Sequence, residues 1–318
     1  MDFVITTPRQ PGIVPQKLLD YGTAWAWFET EYPVLVAAIR LAATAGWDDY
    51  TRQLPSALEE YFDRRGHRHD CLAAQHTALA AAQRREDRHG QAYAHYGLGR
   101  VFHWFGRFEE ARTHLEQALN LFQELNEPVN TVHAHIDLSH ILEHQNRFTD
   151  ALRHAQLALS LPRATDNRRA QARALYFVGW HHALLGDYRQ ALEFCERALT
   201  LNREVGDRRG EGHTLNGIGY AHHGLGQYEQ AIAYYQKKLA LRSELTDSYS
   251  QAVTYTFLGD SYHAAGHDNA ARDAWQRALD ILENFGNHDV GHVRPEQLHA
   301  KLHDLDSITP GAQIPNEQ

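Results

Sequence analysis

Small and aliphatic residues recur in this chain at a fixed step of 40 residues, and no other feature restricts the fold as tightly. Ala118-Leu119 returns as Ala158-Leu159, Ala198-Leu199 and Ala278-Leu279, with Lys238-Leu239 in register. Upstream the same column holds Ala78-Leu79 and Ala38-Ile39. A second column reads Ala111, Ala151, Ala191, Ala231 and Ala271. A third reads Gly99, Ser139, Gly179, Gly219 and Gly259, and a fourth Gly66, Gly106, Asn146, Gly186, Gly226 and Gly266. Four columns in one register mark an array of repeated units.

Each unit reads as two helices. Leu98, Val101, Phe102 and Phe105 have helical spacing. Gly106 stops that helix, because glycine accepts the left-handed conformation of a helix end. Ala111, Leu115, Ala118, Leu119 and Phe122 form the apolar stripe of a second helix, which Asn126-Glu127-Pro128 closes. Small residues in the first-helix column let the two axes approach closely. One such hairpin cannot bury its apolar face alone, so hairpins stack.

The pattern Leu98-Gly99, Phe102, Ala111, Ala118 resembles the tetratricopeptide repeat. The resemblance implies an all-α fold, a right-handed superhelical solenoid of helix-turn-helix units with a 40-residue period. Six repeats are placed over 47–286, at 47–86, 87–126, 127–166, 167–206, 207–246 and 247–286. Residues 1–23 read as an extended N-terminal segment and 24–46 as a capping half-unit helix. A C-terminal capping helix is expected over 287–303 and a disordered tail over 304–318. The opening AWAWFETEYPVLVAAI and the close LGDSYHAAGHDNAARDAWQRALDIL are also similar to the C-terminal repeats of the Streptomyces antibiotic regulatory proteins. That likeness implies the sensor and interaction module of a bacterial regulator of secondary metabolism. In a longer chain its partner would be an upstream nucleotide-binding domain.

Composition narrows the functions. The 318 residues carry 31 Lys+Arg against 40 Asp+Glu, a formal charge of -9 that disfavours direct nucleic-acid binding. No apolar run is long enough for a membrane span. Cys71 and Cys195 have no C-x-x-C spacing, which suits a reducing, cytoplasmic setting. No G-x-x-x-x-G-K-[ST] phosphate loop occurs, and Gly217-x-Gly219 lacks the rest of a dinucleotide fingerprint. No cofactor is called for.

One string carries possible chemistry. His140, Glu143 and His144 form H-x-x-E-H, two imidazoles on one helical face beside a carboxylate. It supports an alternative reading as a metal-dependent hydrolase. Against it, 23 His produce such strings by chance and the expected downstream ligand is missing, so neither catalysis nor a metal is expected. Cys195 reads as a buried structural thiol. The pairs Arg64-Arg65, Arg84-Arg85, Arg168-Arg169 and Arg208-Arg209 read as solvated helix ends paired with nearby acids, ahead of a docking stripe.

The expected site is a concave groove lined by first helices. Counted from the small column, inward positions lie six and three before it and one, four and five after. They hold Tyr93, Tyr96, Arg100, His103 and Trp104, then His133, Ile136, His140, Glu143 and His144. Arg173, Tyr176 and Trp180 follow, then His213, Asn216, Tyr220 and His223, and last Thr256, Asp260 and His263. Rings mixed with Arg, Asn and His suit a peptide, protein or small-molecule ligand. A Lys-based carboxylate clamp is disfavoured, because the four Lys (Lys17, Lys237, Lys238, Lys301) fall outside these positions. A stand-alone protein-binding scaffold is the alternative.

Overall fold

The computed structural model describes residues 21–161, 167–241, 248–284 and 293–308. Among them are 14 helices and no strand. They fall into two compact units, Met1–Arg147 and Phe148–Gln318. The first holds α1 (Tyr21–Thr44), α2 (Asp48–Arg65), α3 (Arg68–Arg84), α4 (Arg88–Trp104), α5 (Phe108–Glu124) and α6 (Pro128–His144). The second holds α7 (Phe148–Ser160), α8 (Arg168–Leu184), α9 (Tyr188–Glu204), α10 (Arg208–Gly224) and α11 (Tyr228–Ala240). It continues with α12 (Ser248–Ala264), α13 (Asp268–Asn284) and α14 (Pro295–Ile308). The division separates α6 from α7, two helices that the 40-residue register assigns to one repeat.

The helices are 17 residues long wherever the pattern is regular, and a turn follows each at half the period. At these turns Gly46, Gly66, Gly106, Gly186, Gly206, Gly226 and Gly266 take positive φ, as do Glu86, Asn126 and Asn146. At Gly106 the closure is a Schellman motif: Gly106 N–H donates to the His103 carbonyl and Arg107 N–H to that of Phe102, each at 2.9 Å. Pro128 then opens α6, where a missing N–H costs nothing. Asn167, Asp187 and Asp207 cap α8, α9 and α10 by accepting from Ala170, Gln190 and Gly210 N–H.

Glu86 pays for its turn in strain, at φ 53°. Glu86→Gly is expected to raise stability by about 1 kcal/mol, the low end of the left-handed penalty for a residue bearing a Cβ. Urea melts of the two proteins measure it. A destabilised variant would show that Glu86 contributes more through contacts than it loses in conformation.

The small column explains how each hairpin closes. A Cβ at Gly99 would lie 2.6 Å from Leu115 Cγ, one at Gly179 2.6 Å from Cys195 Sγ, and one at Gly219 2.6 Å from Tyr235 Cε1. At Gly259 it would meet Trp275 Cδ1 at 2.4 Å. Each contact joins positions 16 apart in sequence, so these four hairpins use one close approach and vary the size of the facing side chain. Leu98, Leu115, Phe122, Leu138 and Ile141 fill the core beside it in the first unit. Cys195, Leu215, Ile218, Tyr235 and Trp275 do so in the second.

Both cysteines are buried. Burial, with Glu196 nearby, pushes the Cys195 thiol up to about 12, so it is inert packing. At the C-terminal end, α14 begins at Pro295 and runs to Ile308, past the 303 limit expected from sequence. Leu298 and Leu305 are both buried there and carry the helix onward. Residues 1–20, 287–292 and 309–318 of the expected terminal segments lie outside the described residues. Among the described residues, no helix is long and apolar enough to cross a membrane.

At least one arginine of each pair is bound to an acid. Arg84 reaches Asp48 at 2.7 Å, Arg168 reaches Glu204 at 2.8 Å, and Arg208 reaches Glu211 at 3.1 Å. Arg169 stands 3.6 Å from Asp207, and Arg65 pairs with Glu29. Exposed pairs of this kind contribute about 0–1 kcal/mol each.

Candidate functional site

First helices pack against first helices within each unit, and this decides which inward positions stay open. The position three before the small column is mostly core. Tyr96 is 3% exposed, Ile136 and Thr256 are buried, and Asn216 is 7% exposed; only Tyr176 of this column is half-buried. Tyr96 packs on Phe122, and its hydroxyl donates to Asp137 on α6. Tyr96 therefore holds helices together and does not line an open face. The position one after the column, which holds Arg100, His140, Trp180, Tyr220 and Asp260, is half-buried throughout. That exposure suits rings and charges that meet a ligand from one side.

In the first unit, Tyr93 stacks edge-on against Phe122 and accepts from Asn130 Nδ2 at 2.9 Å. His133 and Trp104 are half-buried. Arg100 pairs with Glu59 at 2.8 Å and lies 5.6 Å from the Trp104 ring centre, so its charge is already engaged. Glu143 is 3% exposed, which removes it from a ligand-facing role. His103, His140 and His144 come together, with ring centres 4.8 to 5.1 Å apart. Burial holds the His103 pKa down at about 4, assisted by His144 and Arg100 and opposed by Asp137 and Glu143.

The second unit carries a ladder of rings. Tyr176 and Trp180 on α8 stack at 6.5 Å, Trp180 meets Tyr220 of α10 at 5.2 Å, and Tyr220 meets Phe257 of α12 at 5.5 Å. All four rings are half-buried. His213 lies 6.0 Å from Tyr176, and the Arg173 guanidinium 5.9 Å from Phe177. Asn216 donates through Nδ2 to Thr254 Oγ1 at 3.2 Å, while its Oδ1 is buried without a hydrogen-bond partner. A buried acceptor left unpaired costs about 1–3 kcal/mol.

Three expected lining residues are engaged in contacts within the fold instead. Asp260 accepts from Trp275 Nε1 at 2.9 Å and pairs with Lys301, anchoring α13 and α14 to α12. His263 is exposed at the turn and contacts Asp268 through Nδ1 at 2.8 Å. His223 contacts Ser261 Oγ at 2.8 Å, and burial lowers its pKa, against Asp260 and with Lys301. Phe257 is the ladder residue that counting from the small column missed. It sits two before Gly259, and only the packing of α12 on α10 brings it into line.

The tetratricopeptide repeat family model matches residues 64–124, 91–164, 130–204 and 210–284. No curated protein matches the chain. Among solved structures, a Rap protein complexed with competence and sporulation factor is similar, with a TM-score of 0.59 at 14% identity. That match covers 81% of this chain and 76% of the other. NprR in complex with its cognate peptide NprX gives 0.58 at 16% identity, over 82% and 71% of the two chains. BtubC from P. vanneervenii gives 0.55 at 18% identity, over 78% and 97%. At these identities the likeness is one of fold.

Proposed function

The chain belongs to the tetratricopeptide repeat family, and on that premise we propose that it is a non-catalytic binding protein that holds an extended peptide along the rings of its second unit. The ladder Tyr176, Trp180, Tyr220, Phe257 is the observation that carries this reading. Partly exposed aromatic rings supply flat apolar contact at low entropic cost, and such residues dominate binding energy in known interfaces. Arg173 and His213 are half-buried on the same helices and add direction. A Rap protein complexed with competence and sporulation factor and NprR in complex with its cognate peptide NprX are proteins of similar fold, which supports this reading. The finer reading makes the chain the sensor module of a bacterial regulator, and it rests on resemblance in the opening and closing segments.

Selection from a displayed peptide library tests the ladder. Peptides enriched on the wild-type chain should lose about 30-fold in affinity on Trp180→Ala or Tyr220→Ala, the effect of about 2 kcal/mol at a binding hot spot. Arg173→Ala should weaken acidic peptides by roughly 1.5–3 kcal/mol. Enrichment that is equal on the wild type and on a Trp180→Ala, Tyr220→Ala double variant would sink the reading.

A further inference from the structure

The histidine cluster of the first unit is independent of the ring ladder. His140 and His144 are four residues apart on α6 and share a face. His103 reaches them from α4, the preceding first helix, and one ring nitrogen of each residue lies within 4.8 Å of the other two. Phe108 stacks on His144 with ring centres 4.9 Å apart and planes 11° from parallel, which holds that imidazole in place. His103 Nε2 is buried and has no hydrogen-bond partner. Such an atom costs stability unless something binds it. The carboxylates of Asp137 and Glu143 favour positive charge at His103, while Arg100 and His144 oppose it.

We propose that His103, His140 and His144 form a three-nitrogen site for a divalent transition-metal ion of the zinc class. Imidazole nitrogen suits Zn²⁺, Cu²⁺ and Ni²⁺, whereas Mg²⁺ and Ca²⁺ prefer oxygen. At Zn–N distances of about 2.0–2.1 Å, tetrahedral ligands stand about 3.3 Å apart. The widest separation here closes by roughly 1.5 Å, within reach of small rotations about the side-chain bonds of three residues on two packed helices. Three protein ligands leave a fourth position for water or an exogenous donor. The site is a place for an ion, and no reaction is assigned to it. Its helices are the first helices of neighbouring repeats, so a bound ion would tie α4 to α6.

Titration of the full chain with Co²⁺ alone tests the site. The expected result is one equivalent bound with the intense visible absorption of low-coordinate cobalt, bleached one for one by Zn²⁺. His103→Asn and His144→Asn should each abolish that absorption and lower affinity at least about 100-fold, since even loss of an outer partner of a ligand costs up to that much. His303→Asn, exposed on α14, should leave it unchanged. Should His103→Asn lose helicity, His144→Asn decides alone: retained absorption overturns the site and lost absorption supports it. A wild-type spectrum of weak, six-coordinate type that neither variant alters means an adventitious ion on surface histidines only, and overturns the proposal.

Discussion

Gly179→Leu is expected to destabilise the second unit by about 3 kcal/mol, the upper end of the range for overpacking. A Cβ alone at this position would stand 2.6 Å from Cys195 Sγ, 3.0 Å from the Ala191 carbonyl oxygen and 3.2 Å from Cys195 N. Two of these three atoms belong to the α9 backbone, so no side-chain rotation relieves the clash and the helices must part. Gly219→Leu meets the Tyr235 ring instead and should cost roughly 1–3 kcal/mol. Gly212→Ala is the counter-case. Its nearest neighbour would be Lys238 Cε at 3.6 Å, so alanine fits and should stabilise α10 by about 0.5–1 kcal/mol. Urea unfolding of the three variants reads all of this directly. A Gly179→Leu protein that melts with the wild type would show that the column does not set helix separation.

That column is also why so much of the fold was legible before any coordinate. A residue that must be small because a backbone passes within van der Waals reach leaves a mark in sequence, and here the mark repeats. The turns at Glu86 and Asn126 left a weaker one. The left-handed conformation there is tolerated by residues other than glycine, so the half-period turns between repeats are hidden among ordinary surface positions. The site was legible residue by residue and not as an arrangement. Counting outward from the small column found the rings of Tyr176, Trp180 and Tyr220, yet it also placed Tyr96 on an open face. Whether a given position faces solvent or the next first helix depends on the phase between two helices, which no single-chain spacing contains. Asp260 shows the same limit at longer range. Its partners, Trp275 and Lys301, lie 15 and 41 residues downstream on separate helices.

The histidine trio extends this point. His103, His140 and His144 occupy three different columns of the repeat, so their approach is diagonal across two neighbouring repeats and invisible to a comparison made column by column. The H-x-x-E-H string supplied two of the three nitrogens and the wrong companion. Glu143 is buried, and the third imidazole comes from 37 residues before His140. A repeat array therefore makes chemistry in two steps: periodic positions set the scaffold, and departures from periodicity at neighbouring positions create the site.

Acid should unfold the first unit more readily than the second. In a chelator-containing buffer, stability is expected to fall as pH drops from about 6.5 to about 4, with His103 contributing on the order of 3 kcal/mol. Burial holds His95 and His103 at about 4 in the folded chain, with His114 beside His95. It also lowers His114, with His76 adding and Glu110 opposing. All three lie in the first unit, and in the second burial lowers His223. The unfolded chain takes up these protons near pH 6.5 while the folded chain stays neutral. Between the two values the unfolded state binds more protons, so stability is complete above 6.5 and is lost on the way down to 4. His95 and His114 meet at 2.9 Å between their Nδ1 atoms, a contact that needs one nitrogen to donate and the other to accept, and charging both rings would break it. Hydrogen exchange at pH 7 and pH 4.5 separates the units by segment. Protection in α4 to α6 should fall steeply at the lower pH, and His103→Asn should flatten the dependence there. Equal loss of protection in α4 to α6 and in α10 to α12 would show that general charge repulsion, and not these buried imidazoles, governs acid stability.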